Sequence, residues 1–238
     1  NKKREMVFDK ESEFEQAVIE RIRNSYGWHK YEVINYPTEA ELINNWSEII
    51  SEHNKDVDTL NGQPLTETEM GQVLERLNAC RTPLEVNGFI NGKGVPIIRD
   101  NPNDELHLGK EVILDLYDRR KIEAAESVYQ IVRQPRFEAR NEILPNRRGD
   151  FMLLINGMPV IHVELKKSGV DVMVACNQIE TYSHEGIFAQ GIFSLVQVFI
   201  AMTPTETLYF ANPGQDGVFD PHFFFHWADV NNKHINEW

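Results

Sequence analysis

The strongest constraint on this chain is the stretch FMLLI-NG-MPVIHVEL, residues 151–165, in which two apolar runs flank Asn156-Gly157. Asn-Gly between apolar segments is the leading short-range signal for a β-hairpin, because both residues tolerate the positive φ of a tight turn. Both faces of the first run are apolar, with Phe151, Leu153 and Ile155 on one and Met152 and Leu154 on the other. Such a strand belongs in the middle of a sheet, covered on both sides. Yet charge bounds the pair: Asp150 opens it, and Glu164 and Lys166 close it. Burying an unpaired charge is costly, so these strand ends need a reason.

Register decides whether the acids meet, because a slip of one residue sends a side chain to the other face. A two-residue turn pairs Ile155 with Met158 and sets Asp150 opposite Val163, with Glu164 pointing away. A three-residue loop pairs Ile155 with Pro159 and sets Asp150 opposite Glu164, with Cβ atoms roughly 5 Å apart. The three-residue loop, or an equivalent bulge, is expected, with Lys166 on the same face as Glu164. The competing reading is a pair of solvated strand ends with Lys166 bound to one of the acids. His162 is expected as a packed, hydrogen-bonded ring on the face opposite Glu164, not as a metal ligand.

The hairpin sits in an alternating pattern. Phe14, Val18 and Ile22, with Ile19 beside them, stripe an amphipathic helix over residues 11 to 24. A turn and strand follow in GWHKYEVINY, and helices are expected over 38 to 53 and 66 to 80, with Thr38 and Thr66 as caps. Residues 84 to 110, rich in Gly, Pro and Asn, read as loop with short strands, and GKEVILDLYDRRKIEAAE is ambiguous. From residue 127 the order is strand, strand, strand, a helix over about 171 to 185, then the strands LVQVFIAMT and TLYFANP. That order implies an α/β fold, a mixed central sheet flanked by helices.

Composition limits what such a fold can do. The 238 residues are 41% hydrophobic and 26% charged, enough for a sizeable core. The net charge of −13 means that any contact with nucleic acid needs a local basic patch or a partner that presents it. Arg133, Arg136, Arg140, Arg147 and Arg148 form the best such patch, interrupted by Glu138, Glu142 and Asp150. Cys80 and Cys176 make neither a disulfide framework nor a zinc pattern and read as reduced cytoplasmic thiols. No apolar stretch is long enough for a transmembrane helix and no signal peptide is visible. The first residue is not Met and the chain stops in a polar run, so both ends read as cuts in a longer protein.

Two carboxylates and an amine on one face have a definite chemistry. Hard oxygen ligands suit Mg²⁺, which binds through one or two carboxylates and keeps waters for a substrate to displace. Such a metal polarises a phosphodiester and activates water, while a lysine stabilises the developing charge. Gln178 and Tyr182, four apart on the following helix, share a face that could touch a nucleic-acid backbone. No P-loop, nucleophile elbow or dinucleotide fingerprint is present, so this segment is not itself a motor.

Asp150, Glu164-Leu165-Lys166 and Gln178-x-x-x-Tyr182 together resemble the PD-(D/E)xK nuclease pattern with the Q-x-x-x-Y extension of RecB-like nucleases. The segments FEQAVIERI, DFMLLINGMPVIHVELKK, NQIETY and VQVFIAMTPTETLYFANP are similar, in that order, to the N-terminal part of the R subunit of type I restriction-modification enzymes. The resemblance is weakest between about residues 25 and 125, and Gly149 stands where the pattern has Pro.

The resemblance implies a restriction-endonuclease-like core over residues 1–220, with 25–125 an elaboration and 221–238 leading toward helicase-like motor domains. It implies cleavage of double-stranded DNA with Mg²⁺ (Mn²⁺ substituting) after ATP-driven translocation, ATP being bound outside this chain. Methyltransferase and specificity subunits would be partners in a bacterial or archaeal cytoplasm. By position, Asp150, Glu164 and the Leu165 carbonyl would hold the metal, and Lys166 would be the catalytic lysine. Glu15, with Glu11 in reserve, would be the acid from the first helix. Gln178, Tyr182, Arg147 and Arg148 would position DNA. Two alternatives remain open: a RecB-like nuclease of another repair or defence assembly, and a docking module whose acid cluster is structural.

Overall fold

The computed structural model describes residues 7–25, 28–30, 32–92, 94–117, 127–215 and 217–235. It is mixed α/β, organised on a seven-stranded sheet. The chain runs α1 (Glu11–Ser25), β1 (Ile34–Asn35), α2 (Glu39–His53), α3 (Glu67–Asn78), α4 (Pro83–Asn91), β2 (Val95–Ile98) and β3 (Glu111–Leu114). It continues through β4 (Tyr129–Arg133), β5 (Arg136–Phe137), β6 (Arg147–Arg148), β7 (Phe151–Ile155), β8 (Met158–Leu165) and α5 (Val172–His184). It ends with β9 (Val198–Thr203), β10 (Glu206–Ala211) and β11 (Phe225–His226). The large sheet has the order β1-β4-β7-β8-β9-β10-β11, with β1–β4 and β8–β9 parallel and the rest antiparallel. No described helix is long and apolar enough to cross a membrane.

The central hairpin lies at the middle of this sheet, and each of its faces has its own core. Phe151, Val163 and Leu165 pack with Phe14, Val18 and Ile19 of α1. Met152, Leu154 and Met158 join a larger core with Trp46 of α2, Ile179 and Tyr182 of α5, and Phe199 of β9. The helices start where their sequences say they should. Thr38, Thr66 and Thr82 each close a capping box with the glutamate three residues on, which satisfies helix-end N–H groups that would otherwise be orphaned.

Two expectations need correction. The stretch read as loop from residue 84 contains α4. Its capping box and Pro83 at the first turn were visible, but Val86 and Ile90 are its only buried residues, too thin a stripe to read as a helix. The first strand expected from residue 127, read through SVYQIVRQPRFE, breaks at Gln134, whose φ of 50° turns the chain out of the sheet so that β5 pairs with β6 instead. Part of the ambiguous segment forms β3; residues 118–126 lie outside the described residues.

The turn has two residues, not three. Asn156 and Gly157 have φ of 51° and 81°, and Ile155 pairs with Met158. One step on, the register shifts: Leu154 pairs with Pro159 but Leu153 pairs with Ile161. Val160 is thus the extra residue of a β-bulge, which reverses the facing of everything beyond it. Its own carbonyl instead accepts the Gln197 N–H. Beyond the shift Phe151 pairs with Val163, so continuation by one residue sets Asp150 against Glu164.

The turn is also pinned from outside. A Cβ at Gly157 would stand 2.9 Å from the Cα of Trp46. Gly157→Ala combines that clash with a left-handed backbone and should destabilise the chain by about 1–3 kcal/mol. Denaturant unfolding measures this; a variant as stable as the parent would contradict the turn geometry.

Candidate functional site

Asp150 sits at the mouth of β7 with its backbone and side chain both fixed. Its carbonyl accepts the Gln134 N–H at 2.7 Å, and its Oδ2 accepts the Leu165 N–H at 2.6 Å. The second bond ties the acid to the strand that carries Glu164. Glu164 is fully buried; its Oε1 lies 2.9 Å from Nε2 of His162, and its Oε2 has no hydrogen-bond partner among the described residues. The two carboxyls are close enough for a shared proton to link them. As two carboxylates they can only accept, so no bond forms between them.

The electrostatics follow. Burial, then the charge of Glu164, pushes Asp150 up to about 8. Burial pushes Glu164 up to about 8 against the pull of Lys166. Lys166 follows the end of β8, and its Nζ lies 3.4 Å from Glu11 at the start of α1. Its charge acts on both acids, and Glu11 in turn acts on Glu164.

The structure thus brings Asp150, Glu164, Lys166 and Glu11 together. Glu15, the first choice from α1, is instead engaged by the guanidinium of Arg133 and by Gln134 Nε2 at 3.0 Å. Among the described residues it reaches the pair through Gln134, whose N–H holds the Asp150 carbonyl. One helical turn separates Glu11 from Glu15, and spacing alone could not choose between them.

The Gln178–Tyr182 pair forms a relay. Gln178 Nε2 donates to the Tyr182 hydroxyl at 2.6 Å, which donates to the Arg148 carbonyl at 3.0 Å. Tyr182 is buried, and burial first, then the charge of Glu164, raises its pKa. The motif therefore fixes the backbone two residues ahead of Asp150. The arginines divide. Arg147 makes a two-pronged bond to Glu185, at 2.9 and 2.6 Å. Arg148 is exposed, without an ion pair among the described residues, and lies directly across the β5–β6 ribbon from exposed Arg136. Like charges facing each other destabilise a ladder unless an anion joins them.

His162 is the residue that sequence reasoning misplaced. Positions 162 and 164 are two apart on one strand and share a face, the reverse of the expectation, and the ring touches Glu164. The period-two rule was the available signal. Gly149 is explained by the same ring: a Cβ there would meet His162 at 2.6 Å and Phe137 at 3.1 Å, leaving no room for the proline of the pattern.

Divalent-metal chemistry fits this donor set. A buried carboxylate oxygen lacks a partner among the described residues, and both acids are pushed toward their protonated forms, chiefly by burial. Among the described residues no group of three or more His, Cys, Asp or Glu side chains is arranged around a common ion position. Two carboxylates match a cation that keeps several waters better than a closed four-ligand zinc site.

Acids with raised values hold their protons more tightly folded than unfolded. From about pH 4, the ordinary carboxylate range, to about 8, the two acids therefore bind more protons in the native chain and their contribution to stability falls as pH rises, while buried His162, pushed down to about 3, opposes this below about 6.5. Without divalent cations, the melting temperature should drop between about pH 6.5 and 8, above the range in which His162 opposes the acids, and Glu164→Gln should flatten the drop. A melting temperature that rises across this window would contradict the pairing.

Comparison with known proteins gives a consistent result. The family described as "Type I restriction enzyme R protein N terminus" matches residues 9–217. The type I restriction enzyme SsaAORF53P endonuclease subunit of Staphylococcus saprophyticus is 29% identical over 97% of this chain and 22% of its own length. The SauMSSORF170P endonuclease subunit of Staphylococcus aureus (strain MSSA476) is 28% identical over 93% of the chain and 22% of its own length. The EcoprrI endonuclease subunit of Escherichia coli is 36% identical over 38% of the chain and 29% of its own length. The chain spans about a fifth of the length of the longer-matching relatives. It belongs to the family of N-terminal regions of type I restriction enzyme R proteins.

Proposed function

We propose that this chain is the DNA-cleaving module of a type I restriction enzyme and hydrolyses phosphodiester bonds of double-stranded DNA with a divalent metal, Mg²⁺ or in substitution Mn²⁺. The observation that carries this reading is the bulge at Val160, which turns the wholly buried Glu164 toward Asp150. The family match and the names of the relatives as endonuclease subunits support it and favour it over an unrelated RecB-like assembly.

In this reading Asp150 and Glu164, with the Leu165 carbonyl, hold the metal. The bound metal supplies Lewis-acid polarisation of the phosphodiester and an activated water. Lys166 presents its ammonium to the phosphate oxygens where negative charge grows. Glu11, which already bonds Lys166, and Glu15 on the next turn of α1 set the lysine and the loop behind Asp150. Gln178 and Tyr182 hold the Arg148 backbone, so that its side chain lies where a phosphate would pass.

Residues 1–220 act as the nuclease unit, with 25–125 its elaboration and 221–238 leading to the motor of a longer protein. That motor binds ATP and feeds DNA to the site, and methyltransferase and specificity subunits complete a cytoplasmic complex. The net charge of −13 suits a domain handed its substrate rather than one that captures it.

Two measurements test this. In the full-length subunit assembled with its partners, Asp150→Ala, Glu164→Ala and Lys166→Ala should each remove DNA cleavage while ATP hydrolysis continues. Retained cleavage by all three would refute the assignment. For DNA binding at low salt, Arg148→Ala should reduce the slope of log affinity against log salt by about 0.9, the share of one phosphate contact. Arg147→Ala should change it less, because Glu185 already claims that side chain. Equal slopes in the parent and both variants would remove Arg148 from the interface.

A further inference from the structure

The carboxylate pair has a third member that a nuclease of this design does not obviously need. His162 is wholly buried, and its Nε2 lies 2.9 Å from Glu164 Oε1, while its Nδ1 has no hydrogen-bond partner among the described residues. The ring is boxed by aromatic rings: Phe188 at 5.2 Å, Phe137 at 5.7 Å, and Tyr182 and Phe199 at 6.3 Å between centroids. From the remaining side Gly149 approaches so closely that even a Cβ would strike the ring.

A buried imidazole with one unsatisfied nitrogen costs stability, and the chain could fill this space with a leucine or phenylalanine at lower cost. What the histidine provides is direction. Opposite a carboxylate, which only accepts, the ring must donate through Nε2–H. That bond occupies Oε1 and leaves Oε2, the oxygen without a partner among the described residues, as the free ligating atom.

We propose that His162 is a positioning residue for a divalent cation: it holds the Glu164 carboxylate in the rotamer that turns Oε2 toward Asp150. This rests on the metal-site reading above and adds a residue to it. His162 touches no substrate; it acts through Glu164, as outer partners of metal ligands generally act, and their loss typically weakens metal binding 10–100-fold. The aromatic box and Gly149 serve the same end by fixing the ring.

The test is Mn²⁺ affinity of this chain by titration calorimetry, with thermal unfolding of each variant in parallel. His162→Leu should fold, and bind Mn²⁺ about 10–100-fold more weakly. His162→Gln, whose amide nitrogen can replace Nε2–H, should recover most of the loss. His162→Leu binding as tightly as the parent would overturn the proposal, as would His162→Gln losing as much as His162→Leu.

Should the variants fail to fold, the parent decides. Its His162 ¹⁵N imidazole resonances should shift as Mg²⁺ is added, and resonances that stay fixed while Mg²⁺ binds would overturn the role. A parent chain that binds neither ion refutes the metal site itself, and this inference with it. Binding by the parent with no effect at position 162 refutes this inference alone.

Discussion

Val160 has no partner on β7, and the arrangement of the candidate site follows from that one omission. The Asn156-Gly157 turn, with both residues at positive φ, favours a two-residue hairpin. Carried through without interruption, that hairpin would point Asp150 and Glu164 to opposite sides of the sheet. The bulge lets the turn keep its preferred geometry and still reverses the facing of β8 before the acids are reached. Neighbouring elements support the shifted register. The residue before β9 takes the Val160 carbonyl through the Gln197 N–H, α2 closes on Gly157, and the Leu165 N–H locks Asp150 Oδ2 to the far end of β8.

The price of that arrangement is electrostatic. Buried Glu164 and half-buried Asp150 lie together with Lys166 acting on both, and that lysine is partly claimed by Glu11. Without a cation the cheapest response is to keep protons, which is the meaning of their raised pKa values. A divalent ion would do the protons' work and restore both charges. The surroundings are arranged accordingly: α5 contributes the Gln178–Tyr182 relay to the backbone before Asp150, and α1 contributes Glu11 to Lys166. Arg148, across the β5–β6 ribbon from Arg136 and two residues before Asp150, is exposed and has no ion pair among the described residues, in a chain that is acidic overall.

Much of this was legible in the residues. The two-sided apolar strand, the helices α1, α2, α3 and α5, and the capping threonines are local signals, and local signals survive into the fold. The pairing of Asp150 with Glu164 was legible only as a condition, because the choice between a longer loop and a bulge depends on what α2 and β9 do to β8. Helix α4 was hidden by a thin apolar stripe, and the break at Gln134 by a strand pattern that ran through it. That Glu15 is engaged by Arg133 was not legible, because Arg133 is remote in sequence. His162 is a different case, since its spacing from Glu164 already placed both on one face.

The most direct test of the central claim is anomalous diffraction from crystals of this chain grown with Mn²⁺. The account predicts one strong peak between Asp150 and Glu164, about 2.0–2.3 Å from a carboxylate oxygen of each, near the range for hard divalent cations. Carboxyl groups turned apart, with no peak between them at saturating Mn²⁺, would contradict it.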